Sequence, residues 1–551
     1  MSIARGGLET ELLEARKHLG PAAGSRSARR VWTLLLLAIP ISSLAMATIG
    51  KPVVNAAGLP QMYEFWRAAA SPELGTSFLR VTFSAALTTL AYAILGSMLS
   101  ILIGLAGGSI AARSSWATLR KPLRWSVVGG TRGLLSLPRG VHEVVWGLIL
   151  INVLGADPLV GILAIGIPYG AITAKVFAEI LDEAHQQPYL ALRGAGAGRA
   201  RAMLYGLFPV ASGDMISYVF YRFECSIRAA AILGLIGAGG LGYELALSFR
   251  TLRYDEMWTL IYALIVLSGL VDLWSSSLRK RLSVTSEKPP RNFPTASALV
   301  WLGLCVVSAI HLQVSLSNLV SDRARDGFRL IAGGLWPPSL PAETWPALIR
   351  ASIDTLEMSV IATAIAATLG AITSVLLSGG SHRPSRAGRV AASAPRIAAK
   401  GLLLLCRAIP PPVWALLLLF VLLPGVLPGA LALGIYNFGI LGRLMSEATE
   451  NLEPAPRSAL LASGASGPGS FLYGSAPRLA SRYVALSLYR WEVTTRETVI
   501  VGLVGAGGLG RLLTGNLAAF DFARVSGVLI TLIAITLLVD AVSAAARQAF
   551  R

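Results

Sequence analysis

The sequence predicts an all-α integral membrane protein built as a tandem pair of six-helix domains, with about 12 transmembrane helices in all. Three observations carry this reading. Hydrophobic residues make up 54% of the 551-residue chain and charged residues 14%, and mean hydropathy is +0.64, so much of the chain needs lipid around it. Apolar stretches of about 20 residues, long enough to cross a hydrocarbon core of about 30 Å, recur along it. Finally, YRFECSIRAAAILGLIGAGGLG at Tyr221 to Gly242 returns as YRWEVTTRETVIVGLVGAGGLG at Tyr489 to Gly510, with thirteen of 22 positions identical and no gap.

The offset of 268 residues between these segments also pairs Trp146 with Trp414, Gly166 with Gly434, Glu179 with Glu447, Gly196 with Gly464, Pro209 with Pro477 and Asp272 with Asp540. Solenoid units repeat every ~20 to 50 residues, so a period this long marks whole domains. The chain divides into a polar N-terminal segment at 1–30, a first domain at 31–278, a polar, proline-bearing linker at 279–295 and a second domain at 296–551.

Residues 1–30 end in Arg26, Arg29 and Arg30 ahead of an apolar run. The rest of the chain is multispanning and needs no exported amino terminus, so we read an uncleaved first helix rather than a signal peptide. Spans are expected near 31–48, 80–106, 132–154, 159–180, 211–236 and 257–277. Arg113, Arg120, Lys121 and Arg124 follow the second span, Arg193, Arg199 and Arg201 the fourth, and Arg279, Lys280 and Arg281 the sixth. These loops are therefore cytoplasmic.

The second half repeats the plan near 296–314, 352–378, 402–424, 427–446, 479–503 and 524–545. Six spans are an even number, so both halves face the same way and both termini are cytoplasmic. Residues 315–350 fall outside, where Trp336 and Trp345 suit an interface, although Arg323, Arg325 and Arg329 run against the orientation rule beside Asp322 and Asp326.

A net charge of +19 would suggest nucleic acid in a soluble chain. In a membrane chain, Lys and Arg collect in cytoplasmic loops and meet anionic lipid, so the expected partner is the membrane and not nucleic acid. Cys225, Cys305 and Cys406 stand alone in apolar surroundings, which argues against disulfides and metal sites.

GAGGLG fits G-x-G-x-x-G at Gly237 to Gly242 and Gly505 to Gly510, but it follows a membrane helix rather than a strand opening a soluble βαβ unit. His142-Glu143 begins an HExxH pattern that Trp146 breaks, so no zinc pair forms. No GxxxxGK[ST] loop occurs, so any driving ATP is bound by another subunit.

The loops after the fourth span of each half are related. YLALRGAGAGRARAMLYGLFP at Tyr189 to Pro209 and RSALLASGASGPGSFLYGSAP at Arg457 to Pro477 share an A-L-x-x-x-G-A core, a Leu-Tyr-Gly and a proline thirteen residues after the core glycine. A small-residue helix seats closely on a partner, glycine ends it, and proline starts the next helix. With GAGGLG and the R-x-x-x-E-x-V-W string at Arg139 to Trp146, the sequence resembles the phosphonate ABC transporter permease family over nearly the whole of both halves. It departs from that pattern where Leu190 and Ser458 replace the glutamate of the EAA loop and where RAIPPPVW puts Pro411 opposite Glu143.

The resemblance implies two type I importer permease domains fused in one chain of a prokaryotic inner-membrane ABC importer, one chain per complex. Two copies of a cytoplasmic ABC ATPase would dock on the loops at Leu190, Ala191, Gly196 and Pro209 and at Ser458, Ala459, Gly464 and Pro477. An extracytoplasmic phosphonate-binding protein would deliver phosphonate, phosphite or a phosphate ester. The chain would catalyse nothing and bind no cofactor, with ATP and Mg on the ATPase subunits. An importer for another solute such as methionine, or a secondary transporter of two parallel repeats, is the alternative.

Glu224 and Arg228 lie 15 and 19 residues beyond Pro209, about 22 and 28 Å up the span at 1.5 Å per residue. Their i, i+4 spacing lets them pair, as Glu492 and Arg496 do in the repeat. Charges at that depth are costly and mark function by default. In one reading Arg228 and Arg496 face an anion across the pseudo-twofold axis, since guanidinium donates a bidentate pair to phosphonate oxygens; in the other each pair is a structural clamp. Arg222 and Arg490 are read as structural partners, and Asp272 and Asp540 as packing groups. Gly237, Gly239, Gly240, Gly242, Gly505, Gly507, Gly508 and Gly510 are expected to form an extracellular gate or a rim for the binding protein, or to pack helices closely.

Overall fold

A computed structural model describes residues 26–50, 52–116, 120–283, 293–378 and 386–550. Residues 1–25 of the expected N-terminal segment and 284–292 of the expected linker lie outside the described residues. Every named element among those described is helical. The first half runs α1 Arg26–Thr48, α2 Leu59–Ala68, α3 Thr76–Ala111, α4 Lys121–Gly140, α5 Glu143–Leu154, α6 Pro158–Glu183, α7 Gln187–Gly194, α8 Phe208–Leu233, α9 Gly240–Arg250 and α10 Tyr254–Ser283. The second runs α11 Phe293–His311, α12 Asp322–Leu335, α13 Trp345–Ser378, α14 Arg386–Ala408, α15 Pro411–Val421, α16 Val426–Glu450, α17 Ala455–Ala462, α18 Gly467–Gly474, α19 Ala476–Leu503, α20 Gly508–Ala518 and α21 Phe522–Ala549. Apart from α18, which answers to the single turn Arg199–Ala202, each helix of one half has its counterpart in the other.

The centre of each half is one long parallel contact, α3 on α6 and α13 on α16, in which Gly161 meets Tyr92 and Gly108 meets Phe177 further along both helices. Small residues allow the approach: a Cβ on Gly104 would fall 2.4 Å from the Thr173 methyl, and one on Gly166 the same distance from Leu99. In lipid, where apolar burial between helices gains little, such close contact holds helices together.

The halves are interlocked rather than side by side. The leading helix of each packs on the other: α1 lies on α13, and α11 on α3. The short helices follow suit, α12 covering α5 and α2 covering α15. Antiparallel backbone bonds from Asn55 to Val421 (2.7 Å) and from Leu423 to Val53 (3.0 Å) tie one junction. In α12, Arg325 and Arg329 pair with Asp322 and Asp326 at 3.2 and 3.7 Å, which neutralises two of the three arginines that ran against the orientation rule.

Among the described residues, seven helices are long and apolar enough to cross a membrane, and up to eleven spans result if each bent pair is one span, against about twelve expected of the whole chain. The described part of α11 that is apolar, Leu299–His311, falls short. The third span of each half is not straight. It bends by 82° between α4 and α5 and by 93° between α14 and α15. At the first bend His142 Nδ1 accepts from the Val144 amide at 3.3 Å, and at the second Pro411 and Pro412, with no amide to satisfy, start the helix. Each bend is stapled by a recurring tryptophan: Trp146 Nε1 donates to the Pro138 carbonyl (3.4 Å) and Trp414 Nε1 to that of Cys406 (3.2 Å).

Candidate functional site

α8 and α19 line a cavity of about 820 Å³ between the halves, joined by the two bends and by α6 and α16. It follows α8 from Gly213 to Ile232, roughly 28 Å at 1.5 Å per residue. Eight arginine and lysine side chains and eight carboxylates line it, so net charge does not locate an anion; local pairing does.

Glu224, Arg228, Glu492 and Arg496 all face this space, but the i, i+4 pairs expected from their spacing are not the dominant contacts. Arg228 Nη1 stands 3.8 Å from Glu224 Oε1, whereas Arg407 on α14 reaches the same oxygen at 3.1 Å. Arg407 also binds Asp272 at 2.8 Å, and Arg443 on α16 binds Asp272 and Glu447 at 2.8 Å each. Asp272 is thus an inter-half ion-pair partner rather than a packing group. In the second half Glu492 is held by Arg547 at 2.5 Å, and Arg496 donates to two carbonyls, those of Glu492 (3.2 Å) and Arg139 (3.1 Å). Asp540, the counterpart of Asp272, has Oδ1 buried without a hydrogen-bond partner.

Arg222 and Arg490 also diverge. Arg490 is buried and donates to both oxygens of Glu497 at 2.6 and 2.9 Å and to Asn437 Oδ1. Arg222 donates to the Tyr218 hydroxyl at 2.8 Å and lies 4.5 Å above the Tyr169 ring, and its Nε is buried without a partner. Tyr169 in turn donates to Glu143 Oε1 at 3.2 Å.

At the GAGGLG end the cavity is closed by an apolar cluster of Val144, Ile232 and Ile500, backed by Leu148, Ile236 and Leu503. Ile232 and Ile500 are counterparts at the 268-residue offset. Beyond them lies a smaller cavity of about 380 Å³ lined in part by Gly237, Tyr243, Arg250 and Thr514.

The two glycine strings break α8 from α9 by 54° and α19 from α20 by 48°. Gly237, Gly239 and Gly240, and likewise Gly505, Gly507 and Gly508, have positive φ, which L side chains rarely adopt. Gly237 and Gly505 are exposed, while Gly240, Gly242, Gly508 and Gly510 are buried in helix contacts. Each break is pinned alike: Thr89 Oγ1 accepts from the Leu241 amide at 2.8 Å, and Thr355 Oγ1 from the Leu509 amide at 2.9 Å.

The loops carrying Leu190, Ala191, Gly196 and Pro209, and Ser458, Ala459, Gly464 and Pro477, fold as matched units. Gly196 (φ 85°) and Gly464 (φ 89°) end α7 and α17 in the same cap, with bonds from Ala197 to Leu192 and from Ala465 to Leu460, both 3.0 Å. Gly206 and Gly474 press on the backbones of Tyr189 and Arg457, which leaves Leu204, Tyr205, Leu472 and Tyr473 more than half exposed.

Sequence reasoning missed Arg407, Arg443, Arg547 and Glu497 as partners and Ile232 and Ile500 as the closure. The offset that pairs Arg139 with Arg407 and Lys175 with Arg443 could have exposed the first two. Glu497 has no such signal, because its counterpart is Ala229.

Residues 104–284 and 385–551 match the family described as binding-protein-dependent transport system inner membrane component. The chain is 26% identical over 468 residues to the phosphate-import permease protein PhnE of Mycolicibacterium smegmatis, covering 83% of this chain and 84% of that one. It is 32% identical over 223 residues to the phosphite transport system permease protein PtxC of Stutzerimonas stutzeri, 40% of this chain and 78% of that one. It is 37% identical over 120 residues to the putative cryptic phosphonate transport system permease protein PhnE2 of Escherichia coli, 22% of this chain and 98% of that one. No solved structure matches.

Proposed function

Because the chain belongs to the family of binding-protein-dependent transport system inner membrane components, and so is a permease that works with an ATPase and a solute-binding protein, we propose that it carries a phosphonate, phosphite or phosphate ester into a prokaryotic cell. The observation that carries this reading is the cavity shared by both halves, with guanidinium groups inside and a seal of Ile232, Ile500 and Val144 at one end. Guanidinium offers paired donors that match the oxygens of these anions, and the relatives' names point to the same substrate class.

Two copies of the ATPase dock on α7 and α17 from the cytoplasm, through Leu190, Ala191, Ser458 and Ala459, and hold ATP and Mg. Both termini are then cytoplasmic and the cavity opens inward. The binding protein sits at the GAGGLG end over the smaller cavity, where Gly237 and Gly505 are exposed. ATP-driven closure of the ATPases moves α8 and α19 through the coupling loops, separates Ile232 from Ile500, and admits the anion. The glycine breaks serve as hinges, because their backbone turns without a side chain in the way.

The test is ATP hydrolysis and uptake by the complex in nanodiscs and proteoliposomes, purified by a tag on this chain. Hydrolysis stimulated by a binding protein loaded with methylphosphonate or phosphite supports the reading. Stimulation by methionine alone, or uptake that follows a proton gradient without ATP, overturns it.

A further inference from the structure

The two halves are related by duplication, yet the cations on the two sides of the cavity are in different electrostatic states. At the second-half bend every guanidinium is answered. Arg407 is held by Glu224 and Asp272, Arg443 by Asp272 and Glu447, and Arg490 by both oxygens of Glu497. At the first-half bend, Arg139, Arg222 and Arg496 have no carboxylate within 4.0 Å among the described residues. These three converge on one segment. Arg496 donates to the Arg139 carbonyl, Tyr169 reaches Glu143 four residues further along, and Arg222 lies over the Tyr169 ring.

Two substitutions between the repeats account for the difference. Ala229 stands where Glu497 neutralises Arg490, and Tyr169 stands where Asn437 binds it. In the first half the acid is lost and aromatic rings take its place. Four carboxylates stand near the three arginines: Glu143, which accepts from Tyr169 at 3.2 Å, Asp540, with one oxygen unpartnered, Glu492, held by Arg547 at 2.5 Å, and Glu179, which lies 3.9 Å from Lys175. Arg222, whose Nε is buried without a partner, and Arg496, which donates only to carbonyls, lie in a space walled by protein, where a cation without an anionic partner is costly unless a ligand supplies one.

We propose that the transported oxyanion is held on one side of the cavity only, between Arg222 of the first half and Arg496 of the second, with the hydroxyl of Tyr221 as a further donor and with Arg490, the counterpart of Arg222, structural. This rests on the oxyanion reading above. Tyr221 lines the cavity and is 40% exposed, so its hydroxyl is available there. Arg228 is a lesser candidate, since it shares Glu224 with Arg407 and donates to Cys225 Sγ at 3.4 Å.

The experiment compares phosphite and methylphosphonate uptake by the full complex in proteoliposomes, wild type against three variants. Arg222→Gln lowers uptake roughly tenfold or more, the loss expected for one charge-assisted contact, while the complex still assembles. Ala229→Glu, which plants the neutralising acid of the second half beside an unchanged Arg222, lowers it likewise. Arg490→Gln with Glu497→Gln, which removes the buried second-half pair together, leaves uptake within about threefold of wild type, the scatter expected of a neutral pair replacement. Should Arg222→Gln fail to assemble, Ala229→Glu alone decides. Wild-type uptake in an assembled Arg222→Gln or Ala229→Glu complex overturns the one-sided site, as does loss of uptake in an assembled Arg490→Gln/Glu497→Gln complex. If the wild type itself transports neither oxyanion, the functional reading falls first.

Discussion

Arg407, on the second half's α14, donates to Glu224, on the first half's α8, across 3.1 Å, and both side chains are about nine-tenths buried. A sequence repeat that put Arg228 one turn from Glu224 pointed to a pair within one helix, whereas the closer partner comes from the other half. With Asp272 and Arg443 the pair forms a four-membered ionic latch across the inter-half junction. Removing one member leaves its partner buried and uncompensated, so Arg407→Gln should destabilise the permease by ~3–5 kcal/mol. Arg407→Gln with Glu224→Gln should recover much of that loss. Thermal unfolding in detergent, read by the fluorescence of the twelve tryptophans, checks both, and equal loss in the single and double variants would contradict the latch.

The same comparison shows what was legible in the sequence. The duplication, the glycine strings and the coupling loops were readable because Gly196/Gly464 and Trp146/Trp414 recur at a fixed offset, and turn geometry demands particular residues. The bends at His142 and Pro410 were not: Arg139, His142 and Glu143, and the prolines from Pro410 to Pro412, interrupt those spans, but an interruption does not say whether the chain kinks or folds back. The closure was hidden too: Ile232 and Ile500 are apolar residues in apolar helices, and only their meeting across the axis sets them apart. Arg222 and Arg490 received one role from repeat logic, and Ala229 and Tyr169, by breaking the repeat, gave them two.

The closure makes a second prediction. Ile232 and Ile500 are 5% and 1% exposed and with Val144 form the thin seal between the two cavities. Ile232→Ala with Ile500→Ala opens space for water, and an oxyanion then has a hydrated route. Preloaded liposomes carrying the double variant should release phosphite without ATP, whereas wild-type liposomes should not. Retention equal to wild type would mean the seal lies elsewhere.

A third concerns the hinge. Thr89 and Thr355 each accept from the second amide of the helix beyond a glycine break, at 2.8 and 2.9 Å. Thr89→Val keeps the shape and removes the acceptor, leaving the buried Leu241 amide unpaired at a cost of about 1–3 kcal/mol. Because the break and not the helix is released, the expected signature is faster hydrogen exchange confined to residues near 237–245, with the thermal midpoint little changed. Uniform exchange across α8 and α10 would argue against a local hinge.

The last concerns coupling to the ATPase. Leu204 and Tyr205 are 57% and 71% exposed, and Leu472 and Tyr473 are 59% and 76%, all on the short helical segment between α7 or α17 and the span that follows it. Gly206 and Gly474 hold these segments against α7 and α17, so each exposed Leu-Tyr pair adds an apolar face beside its own helix. An aromatic anchor at an interface is worth about 2 kcal/mol or more when truncated. Tyr205→Ala and Tyr473→Ala should therefore each weaken ATPase co-purification, and the double variant should abolish it, while binding-protein affinity at the opposite end is unchanged. The absent EAA glutamates give this prediction its edge. With Leu190 and Ser458 at those positions, docking has lost two charged contacts, so the apolar face must supply more of the adhesion. Co-purification should then survive 0.5 M salt, where an ionic interface with a Debye length of about 4 Å would be screened. Salt-labile co-purification, insensitive to both tyrosines, would place the docking contacts in the basic residues Arg193, Arg199 and Arg201 instead.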